Sequence, residues 1–291
     1  MTGQHLLKNK IAIVTGAGAG AGRAIATRLS KSGAHVIIND IEPISARETE
    51  TIIRDAGGDA TVVLGSVATP NTAKELVKAA QDRWGHLDIL VNSASVTRNA
   101  MIHLLPDEWF ALMIEVIVKG AFYCIRAAGP LMCVAAKPEL ASDKQVHRKI
   151  VNIASTAGIY GAAGKVAYAA ATAAVIGMTK TVAREWAPFS VNCNALAPGL
   201  IFNLSKSANI DGMSSTVEPA AQAETQEYDF ESLAPKEKAV AAQTKSPQRM
   251  PLGRIGTPDD IAGAVEFLVG PDSDFITGAV LEIHGGMEFS S

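Results

Sequence analysis

The chain is 291 residues long, 48% hydrophobic and 19% charged, which is too apolar and too weakly charged for a disordered protein. Lys and Arg total 26 against 29 Asp and Glu, a formal charge of −3, so there is no basic surplus for neutralising nucleic-acid phosphates. Three cysteines, Cys124, Cys133 and Cys193, are an odd number in apolar surroundings. They read as reduced core thiols of a cytoplasmic protein, not as a disulfide framework, and no Cys/His cluster has zinc-ligand spacing.

The N-terminus, Met1 to Lys10, is polar and leads straight into an apolar strand, with no signal-peptide pattern. Ile11–Thr15 is a short β-branched run, followed by a glycine cluster and an apolar-periodic stretch from Ala21 to Ser32. His35–Asp40 is a second strand. Ile44–Ala56 reads as a helix that stops at Gly57-Gly58, a C-cap signal. Thr61–Leu64 is strand-like, Thr72–Trp84 helical and Leu87–Asn92 a strand. Pro106–Val134 reads as one long helix with Pro106 in its first turn. Strand Lys149–Ala154, helix Lys165–Ala187 and strand Ser190–Ala195 follow, then helix Pro258–Val269 and strand Val280–Ile283. Within the second long helix, the run Val166 to Thr179 between Lys165 and Lys180 falls short of the ~20 residues of a bilayer span, so no membrane partner is expected. Strands alternating with helices of these lengths predict parallel βαβ units with helices on both faces of one sheet. The segment Phe202–Gln248, rich in Ala, Ser, Gln and Glu, interrupts the pattern. It reads either as a partly disordered insertion or as a lid over a substrate pocket.

The first βα turn reads Thr15-Gly16-Ala17-Gly18-Ala19-Gly20-Ala21-Gly22. Glycines there let the backbone turn tightly and approach a pyrophosphate, which then sits at a helix N-terminus. The turn follows a strand, opens a helix and has Asp40 closing the next strand, the context that gives such a pattern meaning. A carboxylate at position 40 accepts both ribose hydroxyls of NAD and repels the 2′-phosphate of NADP. Its neighbours Ile41 and Ala19 supply no cation for that phosphate.

The spacing Thr-Gly-x-x-x-Gly-x-Gly resembles that of the short-chain dehydrogenase/reductase family, especially its β-ketoacyl-reductase-like members. Asp88-Ile89-Leu90-Val91-Asn92-Ser93-Ala94-Ser95 is similar to the family's D-x-L-V-N-N-A-G strand. Val151–Ser155 resembles its catalytic-serine strand, and Asn194–Gly199 its nicotinamide-side loop. Pro251–Pro258, Ile276-Thr277-Gly278 and Gly285-Gly286 match its C-terminal segment. The resemblance covers nearly the whole chain. It implies a single domain, residues 1–291, built as a Rossmann-type, doubly wound, parallel seven-stranded α/β sheet, with the 202–248 insertion as the variable substrate loop.

The resemblance further implies Tyr168 as proton donor and Ser155, thirteen residues earlier, as the hydroxyl that holds the substrate oxygen. It implies NAD contacts from Gly16, Gly18, Ala19, Gly20, Ala21 and Gly22, from Asp40, from Ser66 and Val67, and from Asn92, Ser93 and Ala94. Tyr168, Thr172, Pro198, Gly199 and Ile201 complete the cofactor set, and no metal is implied. Two positions depart from the family. The lysine four residues after the tyrosine is Thr172, which cannot supply the charge that lowers a phenol pKa, and the relay asparagine is Ile117. Lys165, three residues before Tyr168, is the one nearby cation that a late helix start would bring in. Smaller departures are Ser66 and Asn203. The expected activity is NAD-dependent interconversion of a hydroxyl and a ketone on a small-molecule substrate. The alternatives are an NAD-binding subunit without catalysis and a non-redox dehydratase or cyclase. Both long helices are apolar on more than one face. In relatives they form a four-helix interface, so a homodimer or homotetramer is expected, or a hetero-oligomer with an active homologue.

Overall fold

The computed structural model describes residues 6–134, 136–141, 146–201 and 250–287. The chain opens with strand β1 (Ile11–Thr15), helix α1 (Gly20–Lys31), β2 (His35–Asp40), α2 (Pro43–Asp55), β3 (Asp59–Leu64), α3 (Pro70–Trp84) and β4 (Ile89–Asn92). Then come α4 (Asp107–Met113), α5 (Gly120–Gly129), α6 (Ala136–Ala141), β5 (Arg148–Ile153), α7 (Ala157–Tyr160), α8 (Val166–Trp186), β6 (Val191–Pro198), α9 (Pro258–Val269) and β7 (Val280–Ile283). The strands form one sheet of order β3-β2-β1-β4-β5-β6-β7, parallel throughout.

Period-two alternation sorts the side chains of each strand onto two apolar layers. Ala12, Val14, Val36 and Ile38 pack with Ile25 and Leu29 of α1 and with Ile261 and Val265 of α9. Ile11, Ile13 and Ile37 face the other way, onto Leu76 of α3, Ile125 of α5 and Val182 of α8. Both faces are covered, which explains why β1 is buried at every position. Each such Ile, Leu or Val contributes about 1.5–3 kcal/mol by leaving water.

The expected long helix Pro106–Val134 is divided. α4 passes into a π-helical stretch, Ile114–Lys119, then α5, then a second π-helical stretch, Pro130–Val134. A hydrophobic repeat does not distinguish one extra residue per turn from a regular helix. The second correction concerns α8. Continued through a 3₁₀ turn it runs from Val166 to Phe189, 24 residues, long and apolar enough by composition to cross a membrane. Its Ala167, Ala171, Val175, Val182 and Ala183 are nonetheless buried in the core. The expected insertion at 202–248 lies outside the described residues.

β1 is the topological switch point, with β2 on one side and β4 on the other. Helices α1 and α3 leave the sheet at opposite faces there, which opens a crevice at the carboxyl ends of the strands.

Candidate active site

The turn after β1 forms the floor of that crevice. Gly16 has φ +63°, and a Cβ on it would lie 2.7 Å from Ala94 Cα. A Cβ on Gly22 would lie 2.0 Å from the Gly16 carbonyl oxygen. No other residue fits at either position, because one needs a left-handed conformation and the other the closest approach of helix to turn. Polar side chains lock the turn from behind. Arg23 Nε donates to the Gly18 carbonyl at 2.8 Å and its guanidinium pairs with Glu48 at 2.8 Å. Thr49 Oγ1 donates to the Ala17 carbonyl at 2.9 Å. α1 opens after Ala19 with no side-chain cap and no acidic residue in its first turn, so its leading N–H groups present a bare positive end.

Asp40 closes β2 beside this turn. Its Oδ2 accepts from Gly18 N at 2.8 Å and its Oδ1 from Glu42 N at 3.1 Å. The carboxylate is thus fixed in place with lone pairs left to accept further bonds. Arg23 is folded onto the turn and Glu48, not toward a phosphate beside Asp40. Buried Asn39 reaches the Val63 and Gly65 carbonyls at 3.1 and 3.0 Å, which brings the Ser66-Val67 loop alongside Asp40. Ser66 Oγ accepts from Ala68 N at 3.3 Å within that loop, and Val67 is buried. Asn39 carried no motif signal, and its role emerges only from strand pairing.

The loop after β4 is tied to β1 by Thr15, whose Oγ1 accepts from Ser93 N and Ala94 N at 3.0 and 3.1 Å. Farther along, Ala100 N donates to Gly164 O at 2.9 Å, and Ala100 bridges Lys165. Asn92 Nδ2 donates to Asn152 Oδ1 at 2.8 Å. Asn92 Oδ1 is buried without a partner, and Asn92 is among the residues that line a small cavity with Thr15, Val67, Ala94 and Ile117. Ile117 is buried and presents only hydrocarbon at the wall of that cavity.

Ser155 follows β5. Its hydroxyl accepts from Ala157 N at 3.2 Å and lies 3.5 Å from the Pro198 carbonyl. Gly199 N donates to Ile283 O at 2.8 Å, and Ile201 bridges Gly256, so the Pro198–Ile201 loop spans the edges of β6 and β7. Tyr168, in the first turns of α8, meets Ser155. Burial pushes its phenol above the ordinary range, while side-chain hydrogen bonds from Ser155 and Ser95 pull it back in smaller measure. Lys165 contributes nothing to that shift. Ser95 closes the Asp88–Ser95 motif, where the family has glycine, and the sequence assigned it no individual role.

Thr172 is 1% exposed. Its hydroxyl donates to the Tyr168 and Ala169 carbonyls at 2.8 and 3.2 Å, and Gly158 of α7 lies directly over it. The structure therefore brings Tyr168, Ser155 and Ser95 together and turns the Thr172 hydroxyl back onto its own helix. Beyond the phenol, Tyr160 Oη donates to Glu282 Oε1 at 3.2 Å. No cluster of three His, Cys, Asp or Glu suited to a metal occurs among the described residues.

Comparison with known proteins bears on the family and the fold. Residues 10–209 match the family model for short chain dehydrogenase, and residues 232–288 match that for enoyl-(acyl carrier protein) reductase. The chain is 33% identical over 286 residues to the 3-oxoacyl-[acyl-carrier-protein] reductase FabG of Thermotoga maritima, covering 97% of this chain and 98% of the relative. It is 32% identical over 279 residues to the short-chain reductase protein NovJ of Streptomyces niveus, covering 96% and 94%. Among solved structures, a short-chain dehydrogenase/reductase from Burkholderia xenovorans superposes with TM-score 0.78 at 30% identity, covering 99% of both chains. A protein assigned as an NAD(P) dependent gluconate 5-dehydrogenase from Beutenbergia cavernae, with NADP bound at low occupancy, gives TM-score 0.77 at 28% identity, covering 98% of both.

Proposed function

The chain belongs to the short-chain dehydrogenase/reductase family, and on that premise we propose that it reduces a ketone to a hydroxyl on a small organic substrate with NADH. The observation that carries this reading is the contact of the Tyr168 phenol with Ser155 at the end of a crevice floored by the Gly16–Gly22 turn. The turn, the bare N-terminus of α1 and Asp40 fit a dinucleotide, with the pyrophosphate at the helix and the ribose at the carboxylate. When bound, the cofactor supplies the hydride. Ser155 holds the substrate oxygen, and Tyr168 Oη releases its proton to that oxygen. The raised phenol pKa keeps the proton in place through the neutral range, which suits reduction better than oxidation.

NAD is favoured over NADP by Asp40, because a fixed carboxylate repels a 2′-phosphate and Arg23 is already paired with Glu48. Asp40→Ala is expected to weaken NADH binding about 10- to 100-fold, the worth of charged hydrogen bonds to two hydroxyls, and to narrow the gap to NADPH. Calorimetry with both cofactors checks this, and unchanged affinities would remove the ribose role. The activity itself is tested by NADH oxidation over a panel of acyl thioesters and cyclic ketones.

A second reading, an NAD-binding subunit without catalysis, is supported by the closed Thr172 hydroxyl and the apolar Ile117. It is preferred if NADH binds and no ketone turns over. The three buried thiols fit a reducing, cytoplasmic compartment.

A further inference from the structure

Resting on the reductase reading, we propose that Glu282 is a positioning residue for Ser155, acting through its side-chain hydrogen bond with Tyr160. Glu282 lies on β7, and its Oε1 accepts from Oη of Tyr160, the last residue of α7, at 3.2 Å. Ser155 stands two residues ahead of α7. The first amide of that helix, Ala157 N, donates to Ser155 Oγ at 3.2 Å. The Ser155 hydroxyl therefore follows wherever α7 is placed.

The Tyr160–Glu282 bond closes a circuit. Within α7, Tyr160 N donates to Thr156 O at 2.9 Å, which ties the end of the turn to its start. Thr156 N donates to Pro198 O at 3.0 Å, the same carbonyl that lies 3.5 Å from Ser155 Oγ. Gly199 N then donates to Ile283 O at 2.8 Å, and Ile283 adjoins Glu282. Every other link in this circuit is main chain. The tyrosine–carboxylate bond is the link that a substitution can open without disturbing the backbone.

α7 needs such a tie. One turn of helix is too short to hold itself, and the chain leaves it through Gly161 and Gly164 at φ +76° and +73°, so no regular structure extends it. Gly158 seats its near side against α8, and Glu282 fixes its end against β7. The carboxylate is itself held: its buried Oε2 lies 3.6 Å from His284 Nε2, and His284 packs on Gly199 so closely that a Cβ there would lie 2.7 Å from the histidine Cβ. The bond to the carboxylate raises the Tyr160 pKa, which keeps that phenol protonated, as the donor, through the neutral range. Tyr160 is half exposed, so the bond fixes a place more than it adds stability. Place matters here, because a shift of about 1 Å in a group that holds the reacting atom can cost about 100-fold in rate.

Glu282→Ala and Tyr160→Phe open the circuit from opposite sides, and Glu282→Gln keeps an acceptor of the same shape. In the full-length protein, kcat for ketone reduction should fall about 10-fold in each opened variant, with KM changed less than about 2-fold, because Ser155 acts most strongly as charge develops on the substrate oxygen. The double variant should lose no more than either single one, glutamine should restore the rate, and the NADH dissociation constant should stay unchanged. Amide hydrogen exchange across Ser155–Gly161, followed by mass spectrometry without cofactor, should quicken several-fold in both opened variants and return to the natural rate with glutamine. Natural exchange and kcat in Glu282→Ala and Tyr160→Phe overturn the proposal, as does a loss that glutamine does not rescue. If the natural chain reduces no ketone, the reductase reading fails and the positioning role fails with it. An active natural chain whose opened variants are equally active refutes the positioning role alone.

Discussion

At Tyr168 the acid strength of one phenol decides the direction of chemistry. Burial raises its pKa from an ordinary value of about 10. An acid whose pKa is raised stays protonated to higher pH, so the reductive rate should be flat through the neutral range and fall only as pH climbs through the shifted value. Oxidation needs the phenolate and should rise about tenfold per pH unit over the same range. Steady-state pH profiles in both directions check this, and an oxidation plateau near neutrality would contradict it. Thr172→Lys places a cation one helical turn from the phenol. An adjacent opposite charge lowers a pKa by about 1–3 units, so oxidation at neutral pH should gain roughly 10- to 1,000-fold with its profile shifted to lower pH. A gain without that shift would deny the electrostatic account. The glycine turn and Asp40 stand out in sequence because backbone geometry and phosphate chemistry restrict the residue types at those spacings, whereas Ser155 and Tyr168 stand out only through the family resemblance and its thirteen-residue spacing. Asn39 does not, because its role arises from strands that meet only in the folded chain.

Among the elements, the contact of α7 with α8 sets the place of Tyr168. Gly158 lets the two helices touch. A Cβ there would lie 2.6 Å from Thr172 Oγ1 and 2.7 Å from Ala173 N. The second contact is with backbone, so trimming Thr172 does not relieve it. Gly158→Ala should therefore push α7 outward and cost about 1–3 kcal/mol, the usual penalty of overpacking. It should appear as a lower urea midpoint with an unchanged slope, and a wild-type midpoint would refute the close packing. Regular elements were legible nearly to the residue: β1, α9 and β7 begin and end where hydrophobic period, Pro258 and flanking turns place them. The π-helical stretch at Ile114–Lys119 and the four-residue α7 were not. One is an extra residue in an unbroken apolar pattern, and the other is too short to carry a period. That π-helical stretch carries Ile117 to the wall of the cavity that Asn92 also lines. Backbone shape and side-chain chemistry are thus separate at this point: the distortion is present, and the buried residue it carries to the cavity, Ile117, is apolar.

The whole molecule leaves more apolar surface outside than its core requires. α8 and its terminal turn carry an 18-residue window of mean hydropathy 1.3, of which 39% is buried. On α5, Phe122 is 44% exposed, with Arg126 stacked 4.8 Å over its ring. Apolar helix faces left this open on a single chain favour the expected homo-oligomer, which we propose pairs these faces. A second copy of the chain, covering about 800 Å² on each side, accounts for both helices at once. Phe122→Glu would bury a carboxylate in such an interface without touching the core, since the side chain is already half in water. An unpaired charge in an interface costs several kcal/mol, so light scattering should show a shift to a smaller species at equal concentration, with the circular dichroism of the natural chain retained. The sheet and the crevice lie within one chain, so NADH binding should survive the dissociation. A natural chain that already scatters as a monomer at high concentration would leave those faces without their partner and overturn the oligomer.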